Sequence, residues 1–570
     1  MRNNENTFQR NLLSLRERNP PLYSRLAGAQ ASLGRYRFLQ SKSGEIVPAM
    51  VNGSGASLPL HSTVDPKREA QRLVSTIIDE DGGEFITILG LGGGFAPQAA
   101  LERGAAGVLV IDFDIDGIAE LLCSKDYTGL LNDSRFTLLA DPSADEIKNF
   151  ILEQYRPALC SGIRTIPLRA RTEKDTASFN AAADAIGSAV KNIAADYSVQ
   201  AHFGGRWFSN IINNLKAAEE QGGKGNGEWG AGSGEAAIVA AGPSLDLQIP
   251  ALADCKLRKV FIISSDTALP ALLHRGIEPD AVVSIDCQHI SYYHFFGCNS
   301  GGSMRNIPLF LDIASPPLLS RLSFSPHFFC SGHPLALYIS QNWRPFPHLD
   351  VSGGNVTYAC LSLAESLGVQ RITLFGADFS YVRSRTYARG TYIYPFFEKK
   401  QNRFSPMEAM LSAFLYRNPF LDQGSGIGKS TKESPAYRET AQLRYYREML
   451  EKKASRMEAH IIAAEGQGAP IILACKKTRN AGCGTPAPFA AGKAGISCRE
   501  FLEQYRNDIA ALPAASGKTN YFQSLSAENK RVFTTLLPLA AAIKHRSPLL
   551  TTADLIEEVK RRCIEKIGKG

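Results

Sequence analysis

The chain has 570 residues, 44% of them hydrophobic and 21% charged, with a formal net charge of +8. That length exceeds what one core can organise and predicts two or three domains of ordinary water-soluble composition, neither disordered nor fibrous. The positive charge is spread along the chain, and basic runs such as Lys399-Lys400 and Arg561-Arg562 are too short for a nucleic-acid site.

The start, Met1-Arg-Asn-Asn-Glu-Asn, lacks the apolar core of a signal peptide, and no apolar run reaches bilayer length. Eleven scattered cysteines without a Cys-x-x-Cys pair argue for reduced thiols and against zinc. The expectation is a cytoplasmic protein with no membrane span. Residues 1–221 read as an N-terminal helical and Rossmann-like domain. Asp65, Pro66 and Glu69 have the form of a helix start. Phe85 to Leu89 then reads as a buried strand running into Gly90-Leu-Gly-Gly-Gly94, and Gly107 to Asp112 as a second strand. A glycine turn followed about 20 residues on by an acid is a nucleotide-fold fingerprint, here Gly90, Gly92 and Asp112. Phe95 stands where the third glycine of the dinucleotide pattern belongs, so a degenerate domain with an empty pocket is expected. The glycine-dense stretch 222–234 cannot hold one packed conformation and predicts a linker.

Residues 235–475 alternate strand and helix, which predicts a doubly wound, parallel α/β sheet. The first strand, from Glu235, ends in Gly242-Pro243-Ser244-Leu245-Asp246. Gly242 permits close approach, while Pro243, Ser244 and Asp246 suit a helix start, whose N–H groups attract anions. The alternative is a βα corner with nothing bound. Further strands end at Ser265-Asp266, Asp286, Asp312, Ser331-Gly332-His333 and Asp378, and Gly353-Gly354-Asn355 opens another helix. All these polar groups fall at carboxyl ends of strands or at helix starts, the edge where open parallel sheets bind ligands. For His333 a turn with no chemical role is the competing explanation.

Gly242-Pro-Ser-Leu-Asp246, Ser265-Asp266, Val283-Ser-Ile-Asp286, Gly353-Gly354-Asn355-Val356 and Leu374-Phe-Gly-Ala-Asp-Phe-Ser-Tyr381 resemble, in order and spacing, the motility-associated factor (Maf) proteins, the MptE-like or domain-of-unknown-function 115 family. The resemblance runs from roughly Glu235 to Glu448, with weaker N-terminal echoes, and implies a central domain similar to bacterial sialyltransferases. It implies a glycosyltransferase that moves a nonulosonic acid from a CMP donor to Ser or Thr of flagellin. Archaeal relatives imply instead an ATP-dependent hydroxymethyl-dihydropterin pyrophosphokinase, and a non-catalytic flagellin-binding assembly factor is a third reading. Under the first, Gly242, Pro243, Ser244, Gly353, Gly354 and Asn355 would hold the CMP phosphate. Ser265 belongs to the same nucleotide set, and Asp266 and Asp286 would orient ribose, cytosine or a metal; no metal-ligand cluster is read from the sequence. Asp378 would stabilise an oxocarbenium-like transition state, and Asp378 or His333 would take the acceptor's proton. Tyr387 stands where the family often has histidine, and a phenol is a poor base at neutral pH. Arg383, Arg385 and Arg389 would clamp donor anions or simply form a solvated loop.

Gly424-Ser-Gly-Ile-Gly-Lys-Ser-Thr431 fails as a P-loop, because Gln423 occupies the required glycine position and no buried strand precedes it. Thr440 to Glu448 predicts an amphipathic helix, and the resemblance implies that it closes one side of the cleft. Residues 476–570 predict a helical C-terminal region for packing or partner docking.

Overall fold

In the computed structural model, residues 2–29, 34–51, 55–79, 82–221, 234–296, 298, 306–322, 324–417, 422–424, 437–473, 494–515 and 521–569 are described. Most of the expected linker (222–233), most of the rejected P-loop (425–431) and the loop 474–493 lie outside them. The chain divides into two compact units, Met1–Gly204 with Asp508–Cys563, and Gly205–Asn507 with Ile564–Gly570.

The first unit holds a four-stranded parallel sheet, β1 (Glu84–Leu89), β2 (Gly107–Asp112), β3 (Phe136–Ala140) and β4 (Gly162–Pro167), in the order β3-β2-β1-β4. Every residue of β1 and β2 is buried, which is why both strands are apolar apart from Glu84, Thr87 and Asp112. Asp65 caps the helix Pro66–Ser75 by accepting from the Arg68 N–H at 3.0 Å. The expected boundary at residue 221 moves: it falls inside the 45-residue helix α1 (Thr176–Glu220), after Gly204. The C-terminal region is helical, but Asp508–Cys563 groups with the first unit and does not stand alone. Composition located the glycine run; it could not show which sheet each end of a continuous helix packs with.

The second unit carries a seven-stranded parallel sheet. Its strands are β5 (Glu235–Val239), β6 (Phe261–Ser265), β7 (Ala281–Ser284), β8 (Pro308–Asp312), β9 (Ser325–Phe329), β10 (Arg371–Phe375) and β11 (His460–Ala463), in the order β9-β8-β7-β6-β5-β10-β11. The chain winds outward from β5 to β9 and then returns to the other side of β5, so the switch point lies between β5 and β10. Alternation along the strands sorts two cores. Ala237, Val239, Ile262 and Phe375 pack with Leu245, Leu252 and Cys255 of helix α2 (Leu245–Leu257). Ala236, Ile238, Ile263, Val283 and Leu374 pack with Cys360, Leu361 and Ala364 of helix α3 (Val356–Ser366). Helices α2 and α3 therefore cover opposite faces. Both begin at the carboxyl edge: α2 directly follows β5, and α3 ends shortly before β10 begins at the other edge.

Candidate functional site

The switch point is filled by the chain itself. The Gly242 N–H donates to the Gly376 carbonyl at 2.8 Å, Pro243 has no N–H, and the Ser244 N–H donates to Asp378 Oδ2 at 2.7 Å. The Gly242–Ser244 turn thus offers a phosphate no backbone donor, contrary to the expectation for these residues. A carboxylate of the chain occupies the anion position that the helix start creates. A Cβ on Gly242 would lie 2.5 Å from Asp378 Oδ2, so only glycine admits this arrangement. The loop after β11 completes the seal. Gln467 N–H donates to Ser244 Oγ at 2.8 Å, Ala469 N–H donates to the Asp378 carbonyl at 2.9 Å, and Gly468 lies against Asp378. Asp378 is 5% exposed, and burial pushes its carboxyl above the usual range despite the Ser244 donors and Arg385.

Beside this sealed point, three neighbouring strands present acids. Asp266, after β6, is fully buried and its oxygens are taken: Thr267 N–H at 2.6 Å, Ser284 Oγ at 2.7 Å and His294 Nδ1 at 3.2 Å. Burial alone would raise its pKa, but His294, Ser284 and Thr267 outweigh it and hold the carboxyl below the usual range. Asp266 therefore orients His294 and does not reach a ligand itself, and Ser265 Oγ is a turn cap on the Ala268 N–H at 3.2 Å. Asp286, after β7, is half-buried, and burial pushes its carboxyl up. Asp312, at the end of β8, accepts from the Ala314 N–H at 2.8 Å and lies 4.0 Å from His333 Nε2. His333 packs against Trp207 with the rings tilted and their centroids 4.4 Å apart, and its side chain keeps 21% exposure. Ser331 Oγ, buried next to it, has no hydrogen-bond partner among the described residues.

The second helix start is open. Asn355 caps α3 by accepting from the Tyr358 N–H at 3.0 Å, and Tyr358 Oη donates to Asp350 at 2.7 Å, which fixes the turn. The Gly354 N–H is used within the turn, bonded to the Val351 carbonyl at 2.9 Å. The N–H groups of Gly353, Asn355, Val356 and Thr357 have no partner among the described residues. Tyr446, on the helix Ala441–Arg456, brings its ring to Gly354. The expected amphipathic helix thus flanks this start. Burial raises the phenols of both Tyr446 and Tyr392, with the charge of Asp286 adding to the first and those of Asp266 and then Asp286 to the second, and the Tyr392 ring lies 4.6 Å from that of His294. Tyr446 thus borders the α3 start, and Tyr392 borders His294.

Burial pushes the Tyr387 phenol above its ordinary value, further from the range of a base at neutral pH. The arginine loop is structural in part, since Arg385 pairs with Asp246 at 2.7 Å and the Arg389 N–H donates to the same carboxylate at 3.1 Å. Sequence reasoning missed Asn210 and Asn214. Their carboxamides donate to the carbonyls of Cys287 and Ala314, and of Ile313 and Ser315, tying down the turns after β7 and β8. Two asparagines four apart within an apolar helix were the available signal. It missed His294 and Tyr392 too, which no short motif marks.

The family described as 6-hydroxymethylpterin diphosphokinase MptE-like matches residues 207–384, the span from the tryptophan beside His333 to the loop after β10. Across the whole chain the fold is similar to the Maf glycosyltransferase from Magnetospirillum magneticum AMB-1, with a TM-score of 0.62 over 99% of this chain and 95% of that one. At 14% identity this likeness shows the fold. Two uncharacterised proteins of Treponema pallidum (strain Nichols) are 43% identical over 88 residues and 40% identical over 114. The matches span 31% and 51% of their lengths. Among the described residues no helix is long and apolar enough to cross a membrane. No group of three or more His, Cys, Asp or Glu among them could hold a metal ion. Within the matched span, the carboxyl edge of the sheet presents the acid–histidine pairs Asp266–His294 and Asp312–His333, with Asp286 between their strands.

Proposed function

We propose that the MptE-like domain transfers a nonulosonic acid from a CMP donor to a Ser or Thr hydroxyl of flagellin. The observation that carries the reading is the pairing, at one sheet edge, of an open helix start with strand-end acid–histidine pairs. The free N–H groups at Gly353 and Asn355–Thr357 would hold the CMP phosphate, with Asp286 and Tyr446 beside the nucleotide. The acceptor oxygen attacks the anomeric carbon, the bond to the CMP phosphate breaks, and His333 takes the hydroxyl proton while Asp312 steadies the imidazolium. Asp378 becomes an anchor of the α2 start in this mechanism. The resemblance of the motifs and the Maf-like fold support the sugar and the acceptor.

The description of the matching family favours one other reading, pyrophosphate transfer from ATP to a hydroxymethyl pterin. A ligand that binds the folded chain raises its Tm. CMP is expected to do so and ATP is not; a rise with ATP alone would overturn the proposal. Intact-mass analysis of flagellin from a strain lacking this protein is expected to show loss of the glycan mass.

A further inference from the structure

Helices α4 (Ile393–Glu398) and α5 (Met407–Leu415) form a hairpin in which Phe397 packs against Phe414 at 6.1 Å. Helix α5 reads Met-Glu-Ala-Met-Leu-Ser-Ala-Phe-Leu, apolar almost throughout, yet Leu415 alone within it is buried. An apolar helix ordinarily buries a stripe against a core. Here Met410, Leu411 and Phe414 are only half-covered. The turn between the helices is built and not loose: Asn402 Oδ1 accepts from the Phe404 and Ser405 N–H groups at 2.9 and 3.1 Å. That turn holds Phe404 out at 92% exposure.

Cations rim the apolar face. Lys399 Nζ stands 4.0 Å above the Phe296 ring and Lys400 Nζ 3.9 Å above Phe396. Neither lysine, nor Arg403, pairs with a carboxylate among the described residues. Residues 391–417 carry four cations and two carboxylates. The surface is continuous with the reaction edge, because Tyr392 at its root packs against His294 and Phe396 packs against Tyr293 at 5.4 Å.

We propose that the α4–α5 hairpin, with Phe404 at its tip and Lys399, Lys400 and Arg403 around it, docks an acidic, apolar-bearing stretch of the acceptor polypeptide that flanks the reacting hydroxyl. This rests on the transferase reading. Methionines give such a face the adaptability to accept varied sequence around several acceptor sites, while unpaired cations select against basic segments.

The test uses the full chain, unglycosylated flagellin of the source organism, and CMP-pseudaminic or CMP-legionaminic acid, whichever the wild type turns over. The variant K399E/K400E/F404S alters only exposed side chains, and its Tm checks folding. The expected result is an acceptor KM raised about tenfold, with kcat and the CMP-induced rise in Tm unmoved. An unchanged KM overturns the docking proposal and leaves the transferase reading standing. Sedimentation with phosphatidylglycerol vesicles that the variant abolishes, at unchanged KM, makes the hairpin a membrane patch and also overturns it. A wild type that neither responds to CMP nor transfers sugar overturns the transferase reading and this inference with it.

Discussion

The two parallel sheets of this chain start from the same device, a central strand feeding a glycine-containing turn and a helix, and both turns have been closed. In the first unit the Gly93 N–H donates to His61 Nε2 at 2.8 Å and the Leu91 N–H donates to Asp112 Oδ2 at 3.0 Å. Asp112, the acid of the nucleotide-fold fingerprint, is held on its other oxygen by Arg171 at 2.7 Å. In the second unit Asp378 plugs the Gly242–Ser244 turn in the same manner. The units differ in what surrounds the plug. The second has a further helix start, at α3, whose donors are uncommitted, and acids on the adjoining strands. A glycine turn is therefore a shape; whether it is a site depends on which N–H groups the rest of the fold leaves unbonded.

The contrast is sharpest at His333 against Asp378. His333→Ala is expected to lower kcat by about 10²–10⁴ while the CMP-induced rise in Tm persists, measured by single-turnover transfer to flagellin. Asp378→Ala is expected to lower stability, because it orphans the Ser244 N–H, with the CMP response retained. A lost CMP response in a folded Asp378→Ala protein would return that carboxylate to the binding site.

For the first unit, Arg171→Ala leaves a buried carboxylate without its cation, a loss of about 3–5 kcal/mol. The measurement is urea unfolding followed by a probe in that unit. Insensitivity to the substitution would mean that Asp112 is protonated and the plug is not ionic; burial does push that carboxyl up, against Arg171 and the Leu91 N–H.

A smaller effect tests the other plug. Burial, aided by Lys125, lowers the His61 pKa to about 4, below its ordinary 6.5. The unfolded chain binds the proton first, so stability is full above the unfolded pKa and falls as pH drops from about 6.5 toward 4, by at most about 3 kcal/mol. His61→Gln should flatten that slope, read from urea midpoints across the window. An unchanged slope would mean that the ring does not enter the Gly93 contact as a neutral acceptor.

Much of the architecture was legible in single stretches. Strands such as Ala281–Ser284 and Pro308–Asp312 are short, largely apolar runs, the first followed closely by Asp286 and the second ending in Asp312, and burial on both faces requires that pattern. The register of polar residues at the carboxyl edge followed from the same alternation. What escaped was partnership. Ser244 and Asp378 are 134 positions apart, and Asn214 reaches the Ser315 carbonyl across 101, distances over which no local pattern specifies a bond. Asp266 and Asp286 looked alike in sequence, yet one is wholly enclosed with its oxygens engaged and the other half-open.

By itself the sequence determined the periods: where strands run, where helices begin, and which end of the sheet collects its acids, because side-chain alternation and capping are local. Only the tertiary structure decided which of those helix beginnings retains free donors. A backbone N–H at a helix start will bond the nearest suitable oxygen, and packing of distant segments determines whether that oxygen belongs to Asp378 or to a ligand.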